Sequence, residues 1–187
     1  MIVIVGESGC GKSSLVKEFI KKNNKYHKII TYTTRPMRDN ETDGIDYHFV
    51  TEERFKTLLE QDFFIESNAY RNWLYGTAMN DCVNDEYAIA VLTPAGLRAL
   101  LRNKVKVTSI YLYVDRRTRL ISILNRGDDI EEAYRRNVSD VGQFDGIIDE
   151  VDYVIDNNKF RMDIDNTIRC LEAIIKDREE KVTANGN

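Results

Sequence analysis

Lys12 and Ser13 close a short glycine-rich run, Gly6-Glu7-Ser8-Gly9-Cys10-Gly11-Lys12-Ser13. This is the spacing G-x-x-x-x-G-K-[ST], and it suits the holding of a chain of phosphates. Glycines let successive backbone N–H groups converge without side-chain clash, which makes a nest for phosphate oxygens. A helix starting where the loop ends adds its N-terminal partial charge to the same place. Lys12 can reach β- and γ-phosphates, and the Ser13 hydroxyl can coordinate Mg²⁺.

A second set of anion-binding residue types lies further along. Arg35 and Arg38 occur in Thr33-Thr34-Arg35-Pro36-Met37-Arg38, Tyr47 in Asp46-Tyr47-His48-Phe49-Val50, and Tyr75 in Leu74-Tyr75-Gly76-Thr77. Two guanidiniums and two phenols in a polar segment can grip another phosphate, the arginines bidentately. Taken singly, such arginines are more often solvated and such tyrosines more often packing residues. Glu66 follows the apolar Phe63-Phe64-Ile65. A carboxylate there either lies on a solvated face or is set to accept N–H donors from a ligand.

These residues need elements to place them. Ile2-Val3-Ile4-Val5 reads as a buried strand feeding the glycine loop. Leu15, Val16, Phe19 and Ile20 then recur at helical spacing up to about Asn23. Lys28 to Thr33 is β-rich and reads as the second strand, Thr34 to Gly44 as a loop, and Ile45 to Val50 as a short strand. Thr51 is a good N-cap for a helix running to about Gln61. Phe63 to Tyr70 and Trp73 to Ala78 read as two strands joined at Arg71-Asn72. These pieces do not alternate with helices, so 35–84 reads as an α+β insertion.

Regular alternation resumes afterwards. Tyr87 to Leu92 reads as a buried strand, and Thr93-Pro94 starts a helix. Thr108 to Val114 is another strand, with Asp115 capping a helix that ends near Arg126 at Gly127. Asp129 to about Val141 reads as a second short helix and Tyr153 to Ile155 as the last strand. Ile164, Ile168, Leu171 and Ile175 mark a final amphipathic helix, with Thr183 to Asn187 as a frayed tail. Alternating β and α elements around a phosphate loop imply a three-layer α/β domain with a parallel sheet.

Composition narrows the partners. A net charge of −4 over 187 residues gives no general attraction to nucleic acid or to an acidic membrane. Any anionic ligand must therefore be held by local positive charge. Cys10, Cys82 and Cys170 are odd in number and widely spaced, which points to reduced thiols in the cytoplasm. No apolar stretch reaches 18 residues, so neither a transmembrane helix nor a signal peptide is expected.

The motifs in combination resemble the guanylate kinase family across nearly the whole chain. The carriers are the loop Gly6 to Ser14, the segment Thr33 to Arg38 with Glu41, Gly44 and Asp46-Tyr47-His48-Phe49-Val50, then Phe64-Ile65-Glu66 and Tyr75-Gly76-Thr77. The resemblance implies a P-loop domain, an inserted α+β nucleotide-binding subdomain and a helical lid. On that reading 1–187 is one domain, with core 1–34, 85–115 and 145–182, insertion 35–84 and lid 116–144. It implies ATP-dependent phosphoryl transfer to GMP or dGMP, with Mg²⁺. Arg35, Arg38, Tyr47 and Tyr75 would hold the GMP phosphate, and Glu66, Thr31 and Thr77 the base. Gly6, Ser8, Gly9, Cys10, Gly11, Lys12, Ser13, Ser14 and Asn157 would contact ATP. Ser13 would bind the metal.

The lid is matched more loosely. Asn125-Arg126-Gly127-Asp128-Asp129, with Glu131, Glu132, Arg135 and Arg136, is similar to the family's Arg-Gly segment and the helix after it. Arg126 aligns directly, and Arg135 or Arg136 after a one-residue gap. With Lys12 these would be the catalytic cations. An earlier arginine of the family falls on Ser122, which leaves open whether Arg119 substitutes. The chain departs from the pattern where the family carries strand-end aspartates, here Val91 and Thr93. Asp115 ends the next strand and reads as a helix N-cap, not as the missing acid. Two alternatives stand beside the kinase: a relative with another acceptor, and a non-catalytic binding module, which the intact glycine loop disfavours. The expected partners are nucleotides, with no nucleic acid and no membrane, for a monomer or homodimer.

Overall fold

The computed structural model describes residues 1–39, 41–70, 72–82, 85–125, 127, 130–158 and 163–184. In chain order the elements are β1 (Ile2–Val5), α1 (Lys12–Lys22), β2 (His27–Lys28), β3 (Tyr32–Thr33), β4 (His48–Phe49), α2 (Glu52–Glu60), β5 (Phe64–Tyr70), β6 (Trp73–Ala78) and α3 (Met79–Cys82). Then follow β7 (Ala88–Val91), α4 (Pro94–Arg102), β8 (Thr108–Tyr113), α5 (Arg116–Leu124), α6 (Ile130–Ser139), α7 (Ile147–Glu150), β9 (Tyr153–Asp156) and α8 (Ile164–Ala184). One sheet has the order β2-β7-β1-β8-β9 and the other β4-β3-β6-β5. No helix is long and apolar enough to cross a membrane, among the described residues.

The chain divides into two compact units, Met1–Ile2 with Tyr26–Val107 and Val3–Lys25 with Thr108–Asn187. The first is built on β5 and β6, an antiparallel hairpin running from Phe64↔Ala78 to Tyr70↔Trp73. β6 pairs antiparallel with β3, and β3 pairs parallel with β4. Alternation sends Phe64 inward, where it stacks on Phe55 of α2 at 4.5 Å between ring centroids. A Cβ at Gly76 would come within 2.8 Å of the Phe64 ring and 3.0 Å of Phe55, so the strand can carry only glycine there. Thr51 caps α2 by accepting from the Arg54 N–H, as expected. β2 and β7 form a parallel pair in the same unit, and α4 packs on β5.

The second unit holds the glycine loop. The β1 residues are fully buried, which suits an unbroken apolar run. β8 and β9 pair in parallel from Ile110↔Tyr153 to Tyr113↔Asp156. The apolar face of α1, Leu15, Val16 and Phe19, is buried, and α1 packs on α8. α5 and α6 pack on each other.

Four local expectations change. Lys28 to Thr33 is not one strand: Ile29 N–H bonds Ile89 O at 2.9 Å, whereas Thr31 O accepts from His48 N–H at 2.9 Å, so the run passes between two sheets. Ile45 to Val50 shrinks to His48–Phe49, because Ile45 and Asp46 are spent in a turn on Thr42 O. α5 ends at Leu124, with Gly127 at φ 85° bonded back to Leu124 O. α8 continues through Thr183 to Ala184, so these two residues of the expected tail are helical, and 185–187 lie outside the described residues.

Candidate functional site

The glycine loop is shaped by close packing. A Cβ at Gly9 would meet Arg119 O at 2.7 Å, and one at Gly6 would meet Leu112 O at 2.7 Å. Gly9 and Gly11 take φ of 84° and 95°, which only glycine adopts without strain. Gly11 is the N-cap of α1 and offers no side chain to its first turn. The helix N-terminus therefore meets the loop with backbone N–H groups that suit an anion. Lys12 folds across the loop, with Nζ donating to Gly6 O at 2.5 Å and Glu7 O at 2.9 Å. Cys10 is buried beneath it, Sγ 3.5 Å from the ammonium. Ser13 and Ser14 are exposed on the first turn of α1.

Below the loop lies a charged group that the motif does not announce. Glu7 and Arg119 are buried, and Arg119 Nη2 stands 3.5 Å from Glu7 Oε1. Arg119 also donates from Nε to Val114 O at 3.0 Å. Tyr111 donates to Glu7 Oε2 at 3.0 Å. Burial first, then the Glu7 charge, pushes the Tyr111 phenol up. Asp140 accepts from Ser8 N–H at 2.8 Å and lies 3.6 Å from Arg119 Nη1. Burial pushes the Asp140 carboxyl up, against the Ser8 N–H and the Lys12 charge, which pull it down. No sequence spacing links Glu7, Arg119 and Asp140; only the fold does.

The remaining residues of this half are placed as follows. Arg135 is exposed and Arg136 half-buried, both on α6. Arg126 lies outside the described residues. Asn157 follows β9 and is buried, its Oδ1 accepting from Thr167 Oγ1 at 2.7 Å and its N–H bonding Tyr113 O at 3.0 Å.

The other unit brings most of the second set together. Arg35 is buried, its guanidinium 5.4 Å from the Tyr47 ring centroid and 5.6 Å from that of Phe49. The Tyr47 and Tyr75 rings meet edge-on, with centroids 6.1 Å apart. Burial and the neighbouring Tyr75 push the Tyr47 phenol up. Arg38 is exposed on the same turn, where its N–H donates to Glu41 Oε2 at 3.0 Å. Lys28, read from sequence only as a strand start, adds a cation: Nζ lies 5.5 Å from the Tyr47 ring and donates to Asp46 O at 2.9 Å. Burial lowers its pKa.

Glu66 does not lie on an open, solvated face. It is half-buried, with Oε1 accepting from Thr77 Oγ1 at 2.6 Å and Oε2 from Asn68 Nδ2 at 3.3 Å. Burial pushes its carboxyl up, and those two donors pull it down. Gly96 of α4 packs beside it: a Cβ there would stand 3.5 Å from Oε2, an ordinary contact. Asn68 had no sequence signal beyond sharing a strand face with Glu66. Thr31 stands just before β3, and no hydrogen bond joins it to Glu66 among the described residues.

The strand ends behave as capping sites. Thr93 accepts from Gly96 N–H at 3.2 Å and caps α4, while Val91 is half-buried at the end of β7. Asp115 caps α5, accepting from Thr118 N–H at 3.0 Å and Thr118 Oγ1 at 2.6 Å. Those two bonds hold its carboxyl below the usual range. Among the described residues, no group of three His, Cys, Asp or Glu is placed to hold a metal ion. Mg²⁺ accepts a single protein hydroxyl when phosphates and waters complete its shell, so the exposed Ser13 fits that ion without a carboxylate.

A family model described as Guanylate kinase matches residues 1–178. The chain is 29% identical over 181 residues to a guanylate kinase of Prochlorococcus marinus, covering 94% of this chain and 96% of that protein. It is 32% identical over 176 residues to one of Rickettsia typhi, covering 86% and 84%. Among solved structures, a guanylate kinase from Anaplasma phagocytophilum superposes with a TM-score of 0.66 at 19% identity, covering 95% of this chain and 85% of that one.

Proposed function

The chain belongs to the guanylate kinase family, and we infer that it is a phosphotransferase moving the γ-phosphoryl group of ATP onto GMP, giving ADP and GDP. The same site takes dGMP. The observation that carries the acceptor assignment is the pairing, within one unit, of the Arg35–Tyr47–Tyr75 cluster with the half-buried Glu66. A cluster for a phosphate and a carboxylate for N–H donors are what a guanine monophosphate requires. Ionised Glu66 accepts from guanine N1–H and N2–H, whereas adenine has no donor at N1. Thr77 and Thr31 add base contacts, and Arg35, Arg38, Tyr47 and Tyr75 hold the phosphate.

The glycine loop, from Gly6 through Ser8, Gly9, Cys10 and Gly11 to Ser14, cradles the ATP phosphates, and Asn157 contacts the adenine side. Phosphoryl transfer of this kind needs no covalent enzyme intermediate; it needs positioning and charge stabilisation. Lys12 exchanges its loop carbonyls for phosphate oxygens and follows the charge as it moves. Arg126, Arg135 and Arg136 add positive charge from the lid. Ser13 would hold Mg²⁺, which when bound neutralises phosphate charge. The reduced thiols suit a cytoplasmic protein.

A coupled assay with ATP and each nucleoside monophosphate in turn tests this reading. GMP and dGMP should turn over, and AMP, CMP and UMP only slowly. Binding of GMP without any ADP formation would replace the enzyme with a binding module. Preference for another monophosphate would replace the acceptor.

A further inference from the structure

We propose that Asp140 is a positioning residue for phosphoryl transfer, clamping Ser8 together with Arg119 and tying the last turn of α6 to the glycine loop. The inference rests on the kinase reading above, since it assigns work to that loop and to Arg135 and Arg136.

Both polar groups of the Ser8 main chain are engaged. Its N–H donates to Asp140 Oδ2 at 2.8 Å, and its carbonyl accepts from Arg119 Nη1 at 3.5 Å. Asp140 and Arg119 lie 3.6 Å apart, which closes the circuit. Arg119 is fixed in turn by Val114 O and by Glu7, the residue preceding Ser8. Gly9, the residue following, lies against Arg119 O with no room for a side chain. Three consecutive loop residues are thus held from one side before α1 begins.

Asp140 also closes α6. Its N–H bonds Arg136 O at 3.3 Å, so Arg136 sits one turn before it and Arg135 one residue earlier still. A second tie runs nearby, from Arg116 Nε on α5 to Asn137 Oδ1 on α6 at 2.5 Å. Arg119 is buried and Asp140 half-buried, with 8% and 14% of their side chains exposed, so water is a poor substitute for either partner. Lid cations stabilise a transferring phosphoryl group only if their helix keeps a fixed register to the phosphate cradle, and small misplacements are costly in rate. Asp140 supplies that register.

The test uses the full chain with Asp140→Ala and Asp140→Asn. Hydrogen exchange of the peptide spanning the glycine loop is followed without nucleotide. ATP binding alone is measured by calorimetry, and kcat and the KM for GMP are measured separately. Asp140→Ala should speed exchange at the loop and lower kcat about 10- to 100-fold. The KM for GMP should stay within about twofold, because its contacts lie in the other unit. Asp140→Asn keeps an acceptor for Ser8 but loses the charge pair, so kcat should fall about 3- to 10-fold. This milder variant carries the test if Asp140→Ala does not fold.

Tighter ATP binding by either variant would make Asp140 a competitor for phosphate, which overturns the proposal. Faster exchange with kcat intact, or no change in either, overturns it as well. If the unaltered chain does not phosphorylate GMP, the kinase reading falls, while exchange at Ser8 still decides whether the clamp exists.

Discussion

Arg35 holds Glu41 by both carboxylate oxygens from one nitrogen, Nη2 reaching Oε1 at 2.7 Å and Oε2 at 2.8 Å. Glu41 also takes the Arg38 N–H, so one carboxylate orders the turn that carries both arginines. Arg35 is buried and Glu41 half-buried, at 6% and 14% side-chain exposure. Removing Glu41 would leave a buried guanidinium without its charge partner, which is destabilising. An arginine implied as a phosphate ligand is thus first a structural cation, presented beside Tyr47 by its bond to Glu41.

Glu41→Gln should therefore raise the KM for GMP about tenfold and leave ATP binding near its parent value. Calorimetry with each nucleotide checks this, and equal losses for both would reject it. The pH dependence has a definite sign. Burial would raise the Glu41 carboxyl, but the Arg35 bond overcomes this and holds it below its ordinary 4.5. Its stabilising contribution is complete above that value and is lost as pH falls through the depressed one. The stability difference between parent and Glu41→Gln, measured by urea unfolding, should shrink as pH drops below 4.5.

Lys12→Ala should lower kcat far more than it changes GMP affinity, by about 10²-fold or more. The ammonium now resting on Gly6 O and Glu7 O is expected to act where charge grows during transfer. Rapid-quench turnover at saturating nucleotide is the measurement. Near-normal turnover would remove Lys12 from the mechanism.

Glu66→Gln should cost about 10²-fold or more in kcat/KM for GMP, because a donor replaces one acceptor facing the base. Burial raises the Glu66 carboxyl above 4.5, so native protein keeps that proton more tightly than unfolded chain. On the proposed function it is the ionised form that accepts from guanine N1–H and N2–H. The KM for GMP should accordingly rise, as pH falls, at a pH above the ordinary carboxylate value, and the Gln variant should lack that limb. Stability has the opposite sense: the contribution of Glu66 falls as pH rises from 4.5 through its raised value. Parent and variant KM profiles between pH 4.5 and 8 decide the matter, and coincident profiles would place base reading elsewhere.

Thr93→Asp should lower the Mg²⁺ concentration needed for half-maximal turnover. Aspartate is as good an N-cap as threonine, so α4 keeps its cap while a carboxylate returns to the strand end. Val91→Asp is the poorer probe, since it puts a charge on a half-buried strand residue. Asp115→Asn should leave Mg²⁺ dependence unchanged and lower Tm only slightly, because its bonds to Thr118 are those of a cap. Magnesium titrations with ATP and GMP saturating test all three. A rise in Mg²⁺ demand in Asp115→Asn would make that residue the missing acid.

The phosphate loop, the caps at Thr51, Thr93 and Asp115, and the β5–β6 hairpin were legible in the sequence because each is a local interaction. Glycine spacing dictates a nest, and a hydroxyl or carboxylate before an apolar period dictates a cap. Arg35, Tyr47 and Tyr75 were legible as types, and Glu66 as a question with two answers. Tertiary structure half-buries it and places Thr77 and Asn68 on its two oxygens. It also divided Lys28 to Thr33 between sheets, because β-propensity fixes an extended backbone but not which strand edge will pair with it. Glu41's hold on Arg35 needed the fold of one turn. Glu7, Arg119 and Asp140 needed the whole of the second unit: Asp140 lies 132 residues from Ser8, and charges that far apart in sequence have no period to betray them. They meet only where the fold brings the glycine loop, α5 and the end of α6 together, and their low exposure makes each charge depend on partners within the protein, backbone as well as side chain.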